Sequence, residues 1–147
     1  MAQYGRPSTD TTREDWVDDG EGTTDIYTAI DEVTPSDTDY IKSALAPTSD
    51  VYVTKLTSVE DPQVGTGHTI RYRFQKDASG GATIDLTVEL REGYVSEGSQ
   101  GTLIKQWQHN DISNGWTTEQ PSLSEAEANT ITDYTDLFLR FVANQST

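Results

Sequence analysis

Ile84-Asp85-Leu86-Thr87-Val88-Glu89-Leu90-Arg91 alternates apolar and polar residues without a break, and Ile70-Arg71-Tyr72-Arg73-Phe74 does the same upstream. Successive side chains of a strand point to opposite faces, so each run has one buried and one solvated face. This register places Ile70, Tyr72, Phe74, Ile84, Leu86, Val88 and Leu90 in a core, with Arg71, Arg73, Asp85 and Glu89 toward water. Each large apolar side chain buried in this way contributes roughly 1.5–3 kcal/mol. The segment between the runs, Lys76-Asp77-Ala78-Ser79-Gly80-Gly81, has turn chemistry, so the two runs read as a hairpin.

Working outward, Asp50-Val51-Tyr52-Val53-Thr54-Lys55-Leu56 is rich in β-branched residues. Its apolar parity switches between Val53 and Leu56, which predicts a bulge or burial on both faces. Asp25-Ile26-Tyr27-Thr28-Ala29-Ile30 reads as a first strand, ended by Pro35 and Ser36-Asp37-Thr38-Asp39, and Tyr40-Ile41 starts a short one. Gly98-Ser99-Gln100-Gly101 turns into a strand from Thr102 to Trp107. The apolar run Leu137-Phe138-Leu139-Arg140-Phe141-Val142 predicts a strand covered on both faces and central in its sheet, because such a strand left at an edge would aggregate. One helix is expected. Ser124-Glu125-Ala126-Glu127 fits a capping box, followed by two turns at most. Seven or eight strands in this order predict an all-β chain: an antiparallel β-sandwich or jelly roll, with one short helix before the last strand.

Residues 1–24 read differently. Arg6-Pro7-Ser8-Thr9-Asp10-Thr11-Thr12 and Asp18-Asp19-Gly20-Glu21-Gly22 lack periodicity and apolar content, which predicts an extended N-terminal arm ahead of a β-sandwich domain over 25–147. Trp16 and Val17 are the arm's apolar residues. A large aromatic in a polar arm anchors it, either on its own domain or on a neighbouring subunit.

The charge is lopsided, with 25 Asp and Glu against 10 Lys and Arg for a formal −15. Such a surface repels phosphates and anionic lipid, so neither nucleic acid nor a membrane is an expected partner. No apolar run reaches the length of a membrane span, and Met1-Ala2-Gln3-Tyr4-Gly5-Arg6 does not resemble a leader. The absence of cysteine removes disulfides, thiolate metal sites and a cysteine nucleophile. The acidic, Thr-rich composition fits a saline, halophilic setting, with an ordinary acidic protein as the alternative. Under the saline reading the melting temperature rises steeply from low salt to molar NaCl or KCl, because the Debye length shrinks from about 10 Å at 0.1 M to about 3 Å at 1 M. A flat or falling melting temperature removes that reading.

Catalytic signatures are missing. His68 and His109 have no nucleophile or acid spaced to work with them, and no nucleophile elbow, zinc-helix or phosphate-loop motif occurs. No enzyme activity and no cofactor are expected. Asp15-x-x-Asp18-Asp19-Gly20-Glu21 and Asp31-Glu32 with Asp37 and Asp39 read by default as a solvated acidic surface; Ca²⁺ or Mg²⁺, hard cations that take oxygen ligands, at either cluster is the alternative. Trp107 and Trp116 flank a loop carrying His109, Asn110, Asp111 and Asn114. With Trp116 as a stacking platform it has the composition of a glycan-binding loop, against the simpler reading of both tryptophans as core.

Several stretches carry a family resemblance: Arg6-Pro7-Ser8-Thr9-Asp10, Ile26-Tyr27-Thr28-Ala29-Ile30-Asp31-Glu32, Pro35 to Ile41, Thr66-Gly67-His68-Thr69-Ile70-Arg71-Tyr72-Arg73, and Ile131 to Phe141. On these the chain resembles small β-sandwich virion proteins of tailed bacteriophages and archaeal tailed viruses. The resemblance implies a jelly-roll structural protein, located in the virion at the capsid surface or tail and assembled in the host cytoplasm. A head-decorating or vertex (turret) role comes first, with other virion proteins and copies of itself as partners, and Arg6, Trp16 and Val17 in an assembly arm. The alternative it implies is a receptor- or glycan-binding module of a tail or fibre, recognising a host-surface glycan or receptor.

Overall fold

The computed structural model describes residues 2–77 and 81–146. The protein is an all-β antiparallel sandwich with one short helix before its last strand. Its main layer is a five-stranded sheet in the order β1 (Pro7–Arg13), β4 (Asp50–Leu56), β9 (Leu137–Gln145), β6 (Ile84–Glu92), β7 (Thr102–His109). Two two-stranded sheets complete it: β2 (Val17–Asp18) with β3 (Ile41–Lys42), and β5 (Tyr72–Phe74) with β8 (Thr117–Glu119). A 3₁₀ turn, Ile26–Ala29, and helix α1, Glu125–Ala128, fill the remaining cover.

The apolar run at Leu137 is the central strand, as its composition demands. Directly opposed residues of antiparallel strands share a face. Leu90 with Leu139, Val88 with Phe141, Leu86 with Ala143, and Phe141 with Tyr52 therefore form one apolar face. Three groups of side chains cover it. Trp16 and Ile26 pack with Tyr52 and Ala143, Tyr72 and Ile112 with Leu86 and Val88, and Leu123, Ala128 and Ile131 with Leu90 and Leu139. The opposite face carries a smaller cluster of Val51, Val53, Tyr94 and Phe138. β4 is thus buried on both sides over Asp50–Thr54, which accounts for its broken parity.

Four expectations are corrected. The two alternating runs do not form a hairpin: β5 pairs with β8, whereas β6 pairs with β7 and β9. They lie in opposing layers, and strand alternation is blind to which layer a strand joins; of the expected turn, Ala78, Ser79 and Gly80 lie outside the described residues. Second, 26–29 is a 3₁₀ turn rather than a strand. Asp10 accepts hydrogen bonds from the amides of Ile26 (2.8 Å) and Tyr27 (2.9 Å), capping the turn that buries Ile26 and Ala29.

Third, residues 1–24 are not a free arm. β1 pairs along β4, from Pro7 opposite Leu56 to Arg13 opposite Tyr52. Trp16 is 8% exposed within its own domain, its Nε1–H donating to the Asp50 carbonyl at 3.0 Å, and Val17 pairs with Lys42. The intramolecular anchor is the one found. Fourth, Glu89 does not face water. It is 4% exposed on the second face, bonded to Arg140 at 3.0 Å and Arg91 at 2.8 Å. Arg140 reaches on to Glu97, and Glu97 accepts from the Tyr94 hydroxyl at 2.7 Å. The polar half of the alternation is there, but the segment after β6 folds back and closes over it. The remaining positions hold: Leu86, Val88, Leu90 and Tyr72 are buried, Ile70, Phe74 and Ile84 pack at the core margin, and Arg71 and Arg73 are exposed.

The predicted capping box is present, Ser124 Oγ accepting from the Glu127 amide at 3.1 Å and Glu127 from the Ser124 amide at 2.8 Å. Lys105 on β7 adds an ion pair to Glu127 at 2.8 Å. The Lys105 ammonium, with the Ser124 amide next, holds Glu127 down at about 2.

Candidate functional site

A cleft of about 1640 Å³ opens between the apolar face of the main sheet and the loops that cover it. Its floor includes Leu86, Leu139 and Phe141. Tyr4, Val33, Leu45 and Val64, each at least half exposed, stand on its rim. Arg6, Lys42, Arg71, Arg73 and Lys76 line it together with Glu32, Asp37, Asp39, Glu60 and Asp77. The cleft is therefore charge-balanced on a chain of net −15. A smaller hollow of about 610 Å³ lies against α1, between Asp61, Glu125 and Tyr134.

At the mouth of the large cleft Trp116 forms a ledge with Arg73 of β5 and Tyr40 of the loop before β3. Arg73 holds its guanidinium 5.5 Å from the Trp116 ring centre, and Tyr40 tilts against it at 6.1 Å. Arg73 is fixed in turn by two bonds to Asp37, at 2.6 and 2.8 Å, and one to the Thr118 hydroxyl at 2.8 Å. The bidentate pair holds the Asp37 carboxyl below its usual range, with the guanidinium rigid over the indole. Asn114 is exposed beside the ledge and lines the same cleft.

The rest of the expected glycan loop is committed elsewhere. His109 turns inward, its Nε2 2.6 Å from the Tyr72 hydroxyl and its ring 4.9 Å from Phe74. Burial, then Glu119, pushes Tyr72 up to about 12, so the phenol keeps its proton. Asp111 pairs with Lys76 at 3.3 Å, its amide bonded to Asp85. Asn110 accepts from Gln108 at 3.0 Å, and Trp107 packs between two core clusters. Of the five loop residues, Trp116 and Asn114 are the two that the fold brings to the cleft.

The acidic clusters are likewise spent. Asp18 accepts from the amides of Gly20 and Gly22, Glu21 pairs with Lys42, and Asp37 is taken by Arg73. Among the described residues no three His, Asp or Glu side chains converge as a cation site. His68 bonds the Tyr134 hydroxyl at 2.6 Å.

Sequence reasoning counted Glu32 as one carboxylate of a cation cluster with Asp31, Asp37 and Asp39 and gave it no role of its own. Its Oε1 is buried without a hydrogen-bond partner, while Arg6 donates to its backbone carbonyl at 3.2 Å. Burial first, and the hydrogen-bonded Asp39 carboxyl second, push Glu32 up to about 7; Asp31 adds to the repulsion. The folded chain therefore binds a proton that the unfolded chain, at the ordinary 4.5, has released. This contribution to stability is fully present below about pH 4.5 and is lost as the pH rises through 7. Glu32→Gln is expected to remove that slope and stabilise the protein at pH 8 by about 1 kcal/mol after solvent screening. Urea melts of both proteins from pH 4 to 8 check it, and parallel pH profiles would contradict it. No signal in the sequence marks Glu32 apart from its neighbours, since the shift arises from the cleft wall.

Comparison with protein-family models, curated proteins and solved structures finds no match to this chain.

Proposed function

We propose that the chain is a structural protein of a tailed virus, a capsid-surface decoration or vertex (turret) protein that assembles with other virion proteins and copies of itself. The observation that carries the reading is how the polar groups are used. Both histidines, the loop carboxylates and the arginines of the second face serve internal bonds that stiffen a small sandwich, the economy of a scaffold rather than of a catalyst. The family resemblance, carried by short stretches spread along the chain, suggests the setting, and the acidic surface suits a halophilic host. Density-purified particles from a host carrying the encoding genome are expected to contain the chain in many copies by mass spectrometry. Its absence from intact particles would overturn the proposal.

A second reading, a receptor- or glycan-binding module, is favoured by one feature, the Trp116 ledge at a charge-balanced cleft. An indole beside a fixed guanidinium offers a sugar ring a stacking surface and the N–H donors that Arg73 does not spend on Asp37 and Thr118. Under this reading the isolated protein binds on a glycan array and Trp116→Ala loses at least about tenfold in affinity, with a melting temperature close to the parent. A wild-type protein that binds no glycan removes it.

A further inference from the structure

The two edges of the main sheet differ in a way that bears on self-association. An edge strand presents unpaired backbone donors and acceptors, and proteins blunt such edges with prolines, bulges, charges or cover. β1 is blunted: it starts on Pro7, and its pairing with β4 is interrupted by two register shifts. β7 has one shift, opposite the Leu90–Arg91 step, and from Lys105 to His109 its ladder with β6 is regular. Among the described residues no loop or strand bonds to the backbone on its outer side. Lys105, which could guard the edge, is drawn onto α1 by Glu127.

Charge singles out the same strand. The segment 98–110 contains no Asp or Glu, in a chain where 25 of 147 residues are acidic. Two copies carrying −15 each repel over most of their surfaces, and β7 is a long edge where they can approach without opposing carboxylates. Leu103, 43% exposed, lies on it.

We propose that β7 pairs antiparallel with β7 of a second copy across a two-fold axis, joining two five-stranded sheets into one of ten. Side-chain parity requires a residue on the axis, and placing Trp107 there centres the regular stretch Lys105 to His109, with Gln106 opposite Gln108 of the second copy and Lys105 opposite His109. In this register every opposed pair shares a face, as antiparallel pairing requires. The occupant is a second copy rather than a foreign strand because Gln106 and Gln108 pair amide with amide in this register and the strand carries no carboxylate of its own to repel its copy. The inference deepens the reading of a protein that assembles with its own copies. The particle census tests that reading, whereas the following experiment uses the isolated chain, so the two can fail separately.

Sedimentation at 1 M NaCl, where self-repulsion is screened, is expected to give twice the chain mass. The double variant Gln106→Glu/Gln108→Glu, at two exposed positions, is expected to sediment as a monomer with an unchanged far-ultraviolet spectrum. Because the chain has no cysteine, the register can be read by oxidation. An equimolar mixture of Gln106→Cys and Gln108→Cys chains should form a disulfide-linked dimer, and neither variant alone should match it. A wild-type monomer at molar salt overturns the proposal and leaves the edge to a strand of another protein. A dimer that survives the double glutamate change, or equal cross-linking in the single variants and the mixture, overturns it too.

Discussion

Arg140→Met is expected to destabilise the protein by about 3–5 kcal/mol, the range for breaking a buried ion pair from one side. Arg140 on β9 lies directly opposite Glu89 on β6, and their side chains are 13% and 5% exposed. Its guanidinium also bonds Glu97, at 3.0 Å through Nε and more closely through a terminal nitrogen. The hydrogen bond to Glu97, followed by the field of both glutamates, holds Arg140 above its ordinary range, and Glu97 is pulled below its own. Methionine fills the volume but leaves Glu89 to Arg91 alone and Glu97 to Tyr94. Chemical denaturation of Arg140→Met, Glu89→Gln and the double variant tests this. The double variant is expected to recover part of the loss, because the carboxylate that suffers most is gone. A loss below about 1 kcal/mol for Arg140→Met would mean that the network behaves as an exposed pair.

Trp16→Ala should cost about 3–5 kcal/mol, as large-to-small changes of buried aromatics do. The indole meets Tyr52 at 6.2 Å between ring centres and packs on Ile26 and Ala143. At about 2–4 °C per kcal/mol for a chain of this size, the melting temperature falls by roughly 6–20 °C. The measurement is made on the isolated domain, and there lies its force. An indole that anchored an arm to another subunit would leave the free protein's melting temperature unchanged. Deleting residues 1–20 should be harsher still. It removes β1 and turns β4, buried from Asp50 through Thr54, into an open edge. Insoluble or aggregated protein is the expected product; a soluble, folded truncation would contradict the edge-strand role.

The readable parts of the fold are those where burial follows a simple period. β5, β6 and the central β9 announce themselves by alternation or by an unbroken apolar run, β7 by the turn before it, and α1 by Ser124 and Glu127. β1 does not, because Pro-Ser-Thr-Asp-Thr-Thr-Arg contains no large apolar side chain. What holds it is backbone pairing with β4 and bonds such as Thr54 Oγ1 to the Thr9 carbonyl at 2.8 Å. Ile26 and Ile30 fit a strand period as well as a turn, and the deciding residue, Asp10, is distant in sequence. For the site, Trp116 and Asn114 were legible as polar-aromatic loop chemistry. Arg73 was legible only as a solvated strand residue; its place over the indole depends on β5 pairing with β8 instead of β6. Glu89 looked solvated because alternation specifies which face a side chain takes and says nothing of what later covers that face.

The position of β9 has a consequence for how the chain is made. The strand that joins β4 to β6 follows both of them, and every other strand, in chain order. During synthesis the β6–β7 hairpin and the β1–β4 pair can form early, but as separate pieces with apolar flanks open toward each other. They become one sheet when Asp50 meets Ala143 and Ile84 meets Gln145, contacts that wait for β9 to leave the ribosome. Closing so wide a loop is entropically costly before it is rewarded. Nascent chains stalled before β9 should therefore remain protease-sensitive throughout, and folding should proceed as a late, single act of strand insertion.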